Sequence, residues 1–181
     1  MGEYGIEADV FVSRPGDDVM GWLVAPDRMR QWIVGADRAD PVSGSAAACG
    51  SVVRLTLSSA GGQFRVGQTY LGEITELNES RLVRRYWLER SQAGVVRLTD
   101  EPGEYERTVT YELRPAPGGV QVHCTARTVI PGLSPAVARI GGHAETRSLR
   151  RSLDRLRLCA EGGQLGLLAR VRDGGQSAQA L

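Results

Sequence analysis

Residues 134–163 read SPAVARIGGHAETRSLRRSLDRLRLCAEGG, and this stretch decides the fold. Ser134 is an N-cap whose hydroxyl can accept from the orphan amides of a first helical turn, and Pro135 stands where a helix tolerates proline. Gly162 and Gly163 supply the left-handed closing position that a residue with a Cβ resists. The 27 residues between these signals (135–161) predict a helix roughly 40 Å long at about 1.5 Å per residue. A helix of that length crosses a domain of this size from one side to the other, so something broad must cover it.

Its apolar residues do not form one stripe. At about 100° per residue, Val137, Ile140, Gly141 and Ala144 share one line, and Leu149, Ser152, Leu153, Leu156 and Ala160 share another. The change falls near Gly141–Gly142, where a kink or bulge is expected. The later segment is expected to clamp a sheet and the earlier one to roof a cavity. Glu145 lies near the centre of the second stripe, on the buried side. Arg147, Arg150, Arg151, Arg155 and Arg157 form a basic outer face that reads as solvated and offset by Asp154 and Glu161.

Upstream, the chain changes period. Ile6, Ala8, Val10 and Val12 alternate with Glu7, Asp9, Phe11 and Ser13, the pattern of a half-buried strand. Pro15-Gly16 ends it. Asp17 is placed to cap a short helix through Leu23, and Ala25-Pro26-Asp27 opens a second with Met29, Trp32 and Ile33. Residues 41–50, PVSGSAAACG, read as small and flexible. Six strands are then predicted: Ser51–Ser59, Gln63–Leu77, Arg81–Glu89, Val95–Thr99, Tyr105–Leu113 and Val120–Ile130. Their separators are short and rich in polar residues, Gly and Pro, which makes the strands an antiparallel meander, since a parallel crossover needs a dozen residues or more. Gly67 and Gly72 suggest bulges that curl the sheet. Residues 164–181 read as a C-terminal extension, partly disordered, carrying Leu165, Leu167, Leu168 and Val171.

The order is strand, two short helices, antiparallel strands, long helix. It predicts one α+β domain over 1–163, a helix-grip arrangement in which a curved antiparallel sheet of about 6–7 strands wraps the C-terminal helix. The chain resembles the START-like superfamily (SRPBCC) through VFVSRPGDDVMGWL and PDRMRQW near the start, YLGEITELNESRLVRRYWL, VTYELRPAPGGVQVHCTA, and the helix SLRRSLDRLRLCAE. The likeness spans roughly residues 4–161. That superfamily includes polyketide cyclases/dehydrases, lipid-transfer domains and chaperone activators. The resemblance implies a cavity between sheet and helix for an apolar or aromatic molecule, and it carries no catalytic set over to this chain.

Composition bounds the chemistry. The chain has 181 residues, 41% hydrophobic and 24% charged, with 22 basic and 21 acidic residues for a net charge of +1. No global field draws in nucleic acid or an anionic membrane. All the basic residues are arginines, so Schiff-base aldolases, pyridoxal phosphate aldimines and P-loop lysines are excluded. Cys49, Cys124 and Cys159 are too far apart for a C-x-x-C motif and read as reduced small hydrophobes. No signal peptide or membrane span is evident, which points to the cytoplasm.

In the strand Tyr105–Leu113 the odd residues Tyr105, Arg107, Val109, Tyr111 and Leu113 form the buried face. Arg107 therefore points inward between tyrosines, and a buried guanidinium needs a carboxylate, a ligand oxyanion or water. Glu145 is one candidate partner. In a catalytic reading Arg107 anchors a carboxylate or polarises a carbonyl while Glu145 or Tyr111 relays a proton. Trp32, Tyr70, Trp87 and Tyr105 are candidate lining residues, with the inward face of Arg81–Glu89 left open. His123 is expected to face outward, and His143 falls off both helical stripes. Neither a hydrolase triad nor a metal site is supported, and no cofactor is implied. The expected function is that of a biosynthetic cyclase, aromatase or dehydratase of secondary metabolism acting on a hydrophobic small molecule. The alternatives are a non-catalytic carrier or sensor and a chaperone-activator-like interaction domain. A homodimer stays open.

Overall fold

The computed structural model describes residues 2–44, 47–57, 68–89, 105–130, 132 and 134–162. Strand β1 (Gly2–Val12) is followed by helices α1 (Gly16–Val24) and α2 (Pro26–Trp32). Strands β2 (Ala36–Ser43), β3 (Val52–Leu57), β4 (Thr69–Leu77), β5 (Arg81–Leu88), β6 (Glu106–Ala116) and β7 (Gly119–Ile130) come next, and helix α3 (Pro135–Ala160) is the last of the described elements. The seven described strands form one antiparallel sheet in the order β1-β7-β6-β5-β4-β3-β2. This is the expected helix-grip α+β architecture. The predicted strand Val95–Thr99, Gly67 and the 164–181 extension lie outside the described residues, while β5 pairs directly with β6.

Three local expectations are corrected. Strand β2 falls partly in the stretch read as flexible. Only Ala39 in it is buried, so it carries no period-2 signal, and Pro41 suits its place at the sheet edge, where the missing amide costs no ladder bond. Asp17 does not cap α1; Pro15 occupies that position, and Asp17 and Asp18 sit in the first turn, where the positive end of the helix dipole favours them. The bulge in β4 falls between Ile74 and Glu76 rather than at Gly72. Gly72 instead faces Tyr86 across the ladder, and a Cβ there would overlap the Tyr86 ring.

Helix α3 begins as read. Ser134 Oγ accepts from the Val137 amide, and the chain leaves through Gly162 at φ +82°. It runs as one uninterrupted helix through Gly141–Gly142. The apparent phase change has a different cause from a kink. Gly142, Glu145, Leu149, Ser152, Leu153, Leu156 and Cys159 make one continuous inner stripe at about 100° per residue, with Leu149, Leu153 and Leu156 fully buried. Gly142 sits over Tyr4 and Ile6 of β1, so the glycine serves close approach. Val137 and Ile140 lie on the outer side, 55% and 72% exposed, and do not roof the interior.

The core fills the space between the concave sheet face and the helices, from Ile6 and Val10 of β1 through Leu55, Tyr70, Leu82, Val109 and Val122 to Trp32, Leu23 and Met29 of α1 and α2. The buried Ser152 hydroxyl accepts from the Val34 amide at 3.0 Å, tying α3 to the segment after α2. Without that bond an orphan amide and hydroxyl would be buried in apolar surroundings.

Candidate functional site

The site is a row running across the strands. Antiparallel register places Tyr4 opposite Thr128, Thr128 opposite Arg107, Arg107 opposite Tyr86, and Tyr86 opposite Gly72. Side chains at paired positions point to the same face of a sheet, here the concave one. Helix α3 brings Glu145 onto this row from above.

Arg107 is fully buried, and its Nη1 donates to Glu145 Oε2 at 2.6 Å and to Thr128 Oγ1 at 3.2 Å. The Tyr4 hydroxyl donates to the other carboxylate oxygen, Glu145 Oε1, at 2.5 Å. The Glu145 side chain keeps 19% of its surface, so it is the exposed end of the network. Burial works against the Arg107 cation, but Tyr105 and Glu145 outweigh it and its pKa is raised. Burial, reinforced by the bond to Glu145, raises the Tyr4 pKa. Burial also raises that of Tyr105, with Arg107 opposing. At neutral pH both phenols therefore keep their protons, and that of Tyr4 is donated to Glu145.

The inward reading of Arg107 holds, and Glu145 is its partner. Tyr105 and Tyr70 pack ring to ring beside Arg107, centroids 5.3 Å apart, and the Tyr70 hydroxyl donates to Gln68 Oε1 at 3.0 Å. Tyr111 shares the inner face but is not bonded to the ion pair; it meets Trp32 edge-on at 6.1 Å. Trp32 is 1% exposed, and its indole N–H donates to the Trp22 carbonyl, so it is core at the α1–α2 end. Trp87 is a correction. The inward residues of β5 are Leu82, Arg84 and Tyr86, so Trp87 points to the convex face, where its ladder partners are Leu71 and Glu106.

Tyr4 and Thr128 were missed. Tyr4 has the parity of Ile6, Ala8 and Val10, which was signal enough to place it inward. His123 faces outward as expected, Nδ1 2.8 Å from Asp9 Oδ1, and His143 is exposed. Among the described residues no cluster of three or more His, Cys, Asp or Glu could hold a metal ion. No helix among them is long and apolar enough to cross a membrane. Cys124 and Cys159 are buried and Cys49 exposed, all as free thiols.

No protein-family profile and no curated protein sequence matches the chain. Solved structures do. Ara h 8.0201 superposes with a TM-score of 0.63 at 13% identity, over 90% of this chain and 100% of its own. A protein from Rhizobium leguminosarum gives 0.61 at 18% identity, over 89% of this chain and 96% of its own. The di-domain ARO/CYC StfQ from the steffimycin biosynthetic pathway gives 0.62 at 15% identity, over 88% of this chain and 51% of that one. At such identities the likeness is one of fold, and the shared fold is the helix-grip arrangement of an antiparallel sheet around a C-terminal helix.

Proposed function

We propose that this chain binds an apolar or aromatic, polyketide-like small molecule where the partly open Glu145 end of the Tyr4–Glu145–Arg107 network meets solvent beside α3, and acts on it as a cofactor-independent cyclase, aromatase or dehydratase. The observation that carries the reading is the Glu145 carboxylate, held by a fully buried Arg107 on one oxygen and by Tyr4 on the other while part of its surface stays open. A carboxylate fixed in that way is a positioned base. Glu145 takes a proton from a methylene between two carbonyls, the carbanion forms a carbon–carbon bond to a second carbonyl, and that oxygen takes the proton to become a hydroxyl. Loss of this hydroxyl as water, with a proton from the adjacent carbon, gives a cyclohexenone, which becomes aromatic when the remaining ring ketones enolise to phenols. Once Glu145 has taken the substrate proton, the Tyr4 hydroxyl that its carboxylate held is released to turn to the oxygen on which charge develops. Arg107 acts through Glu145 and is a positioning residue.

The test is turnover of a linear poly-β-ketone thioester mimic by wild type, Glu145→Gln and Tyr4→Phe, with folding checked by circular dichroism. Glu145→Gln is expected to abolish cyclisation while the fold persists, and undiminished turnover would overturn the assignment. The carrier reading draws on the mutual neutralisation of Arg107 and Glu145, which suits a static polar clasp. It is favoured if native mass spectrometry of the purified protein finds a ligand that is returned chemically unchanged after incubation.

A further inference from the structure

Two observations meet on the outer face of α3. The first is apolar: among the exposed large hydrophobic residues, Ile140 and Val137 are the most open, at 72% and 55%. The second is electrostatic. Arginines on the convex sheet face are matched by carboxylates, as in Arg54–Glu89 at 2.8 Å, Arg81–Glu112 at 2.8 Å, Arg85–Glu106 at 3.1 Å and Arg127–Glu3 at 2.6 Å. Arg147, Arg151 and Arg155 on α3 are exposed and take part in no ion pair among the described residues. Arg150, beside them, is in the same position.

At about 100° per residue, Val137, Ile140, Ala144, Arg147, Arg151 and Arg155 fall within one sector roughly 80° wide. Over 18 residues that is a straight strip about 27 Å long. Its first half is apolar and its second half basic. We propose that this strip docks an amphipathic acidic helix of a partner protein, whose carboxylates at i, i+4 and i+8 face the arginines and whose apolar end covers Val137 and Ile140. The spacing argument is direct, since carboxylates four residues apart on a helix repeat at the rise of the arginines. Arginine forks match carboxylates in two-point contacts, which gives such a pairing register as well as charge.

Charge also excludes two occupants closer to hand. A second copy laid parallel would set arginine against arginine, and one laid antiparallel would set the arginines against Val137 and Ile140, so neither brings a carboxylate to them. The chain's own segment 163–181 carries Arg170 and Arg172 against a single Asp173, so it cannot neutralise the strip. The inference is independent of what the interior binds.

The experiment uses the full chain and a fluorescein-labelled helical peptide with glutamates at i, i+4 and i+8 followed by two leucines one to two turns on, read by fluorescence anisotropy. A scrambled peptide of equal charge, phosphatidylcholine/phosphatidylserine vesicles and a short DNA duplex are run in parallel. The ordered peptide is expected to bind at least about tenfold more tightly than the scrambled one. Arg147→Glu with Arg151→Glu and Arg155→Glu removes that binding, and Val137→Ser with Ile140→Ser weakens it several-fold, all by changes at exposed positions that leave the circular dichroism spectrum intact. The proposal is overturned if the ordered and scrambled peptides bind alike or if either variant binds like wild type. It is also overturned if the vesicles or the duplex bind through these arginines while the peptide does not.

Discussion

Arg107 and Glu145 meet at 2.6 Å between β6 and α3, the guanidinium fully buried and the carboxylate still 19% exposed. The pair therefore joins a charge that cannot reach water to one that can. Removing Glu145 strands the cation, whereas removing Arg107 leaves a carboxylate with solvent to turn to. Glu145→Ala is expected to cost about 3 kcal/mol in urea unfolding, and Arg107→Met clearly less, because the penalty of a buried pair falls on the member left behind in low dielectric. In a double-mutant cycle the two changes together should cost less than their sum. Equal single-mutant losses would contradict the asymmetry.

The same network was only half legible in the sequence. Strand alternation put Arg107 inside, and helical periodicity put Glu145 on the buried side of α3, because both rest on spacing within one element. The inward phase of Tyr4 is readable from β1, but its place beside Glu145 depends on how β1 registers against β7, a pairing across more than a hundred residues that leaves no local trace; Thr128 faces Arg107 across the β6–β7 hairpin, where the register follows from the turn. Trp87 was placed in the lining because β5 has apolar residues in both phases; Leu71 on the convex side supplies a second, smaller apolar contact there. Strand β2 was missed because an edge strand with one buried residue has nothing to alternate. In α3 the two apolar lines were both present, but periodicity alone does not say that one faces solvent.

Alkaline pH should loosen the core in a defined order. Burial pushes the Cys124 thiol up to about 12 from an ordinary value of 9.0. Tyr4, Tyr105 and Tyr111 are likewise raised above 10.0, chiefly by burial. Each group holds its proton more tightly folded than unfolded, so above the unfolded values the unfolded chain binds fewer protons and stability falls as pH rises. These four groups therefore contribute no slope through neutrality, a decline beginning near pH 9.0, where Cys124 enters, and a steeper one above pH 10.0, where the tyrosines join it. Burial raises the Cys159 thiol from 9.0 as well, so Cys124→Ala combined with Cys159→Ala should move the onset toward the tyrosine range in melting curves taken across this window. An unmoved onset in the double variant would show that the thiols are not the first groups to titrate.

Gly72 is where the sheet makes room for the site. A Cβ there would overlap Tyr86 and lie 3.2 Å from Arg84 Cδ, and Tyr86 is the cross-strand neighbour of Arg107. Gly72→Ala is expected to cost about 1–3 kcal/mol by overpacking. Arg107 is the neighbour of Tyr86 on the side of the row away from Gly72, so ligand affinity is expected to fall together with stability. Gly72→Ala combined with Tyr86→Leu should recover most of the stability, because the smaller side chain vacates the overlapped space. Failure of that rescue in urea unfolding would place the strain elsewhere than on the ring.

Arg84 is the second arginine inside the sheet, and its surroundings are the opposite of those of Arg107. It is 2% exposed, its guanidinium donates to the Leu23 and Val24 carbonyls at 3.5 Å and lies 3.0 Å from the Met29 sulfur, and its Nε has no hydrogen-bond partner. No carboxylate among the described residues pairs with it. Its compensation is the negative end of α1, since those carbonyls close that helix, and a helix C-terminus stabilises a cation by up to about 2 kcal/mol when partly buried. Desolvating a cation costs several kcal/mol, so the helix end does not repay it. Arg84→Met, which keeps the length of the side chain against Met29 and Leu23, is therefore expected to leave stability unchanged or raise it by about 1–4 kcal/mol. Urea unfolding of the variant measures this directly. A loss of more than about 2 kcal/mol would mean that the carbonyl contacts outweigh desolvation, and that Arg84 holds α1 against β5 as firmly as Glu145 holds α3 against β6.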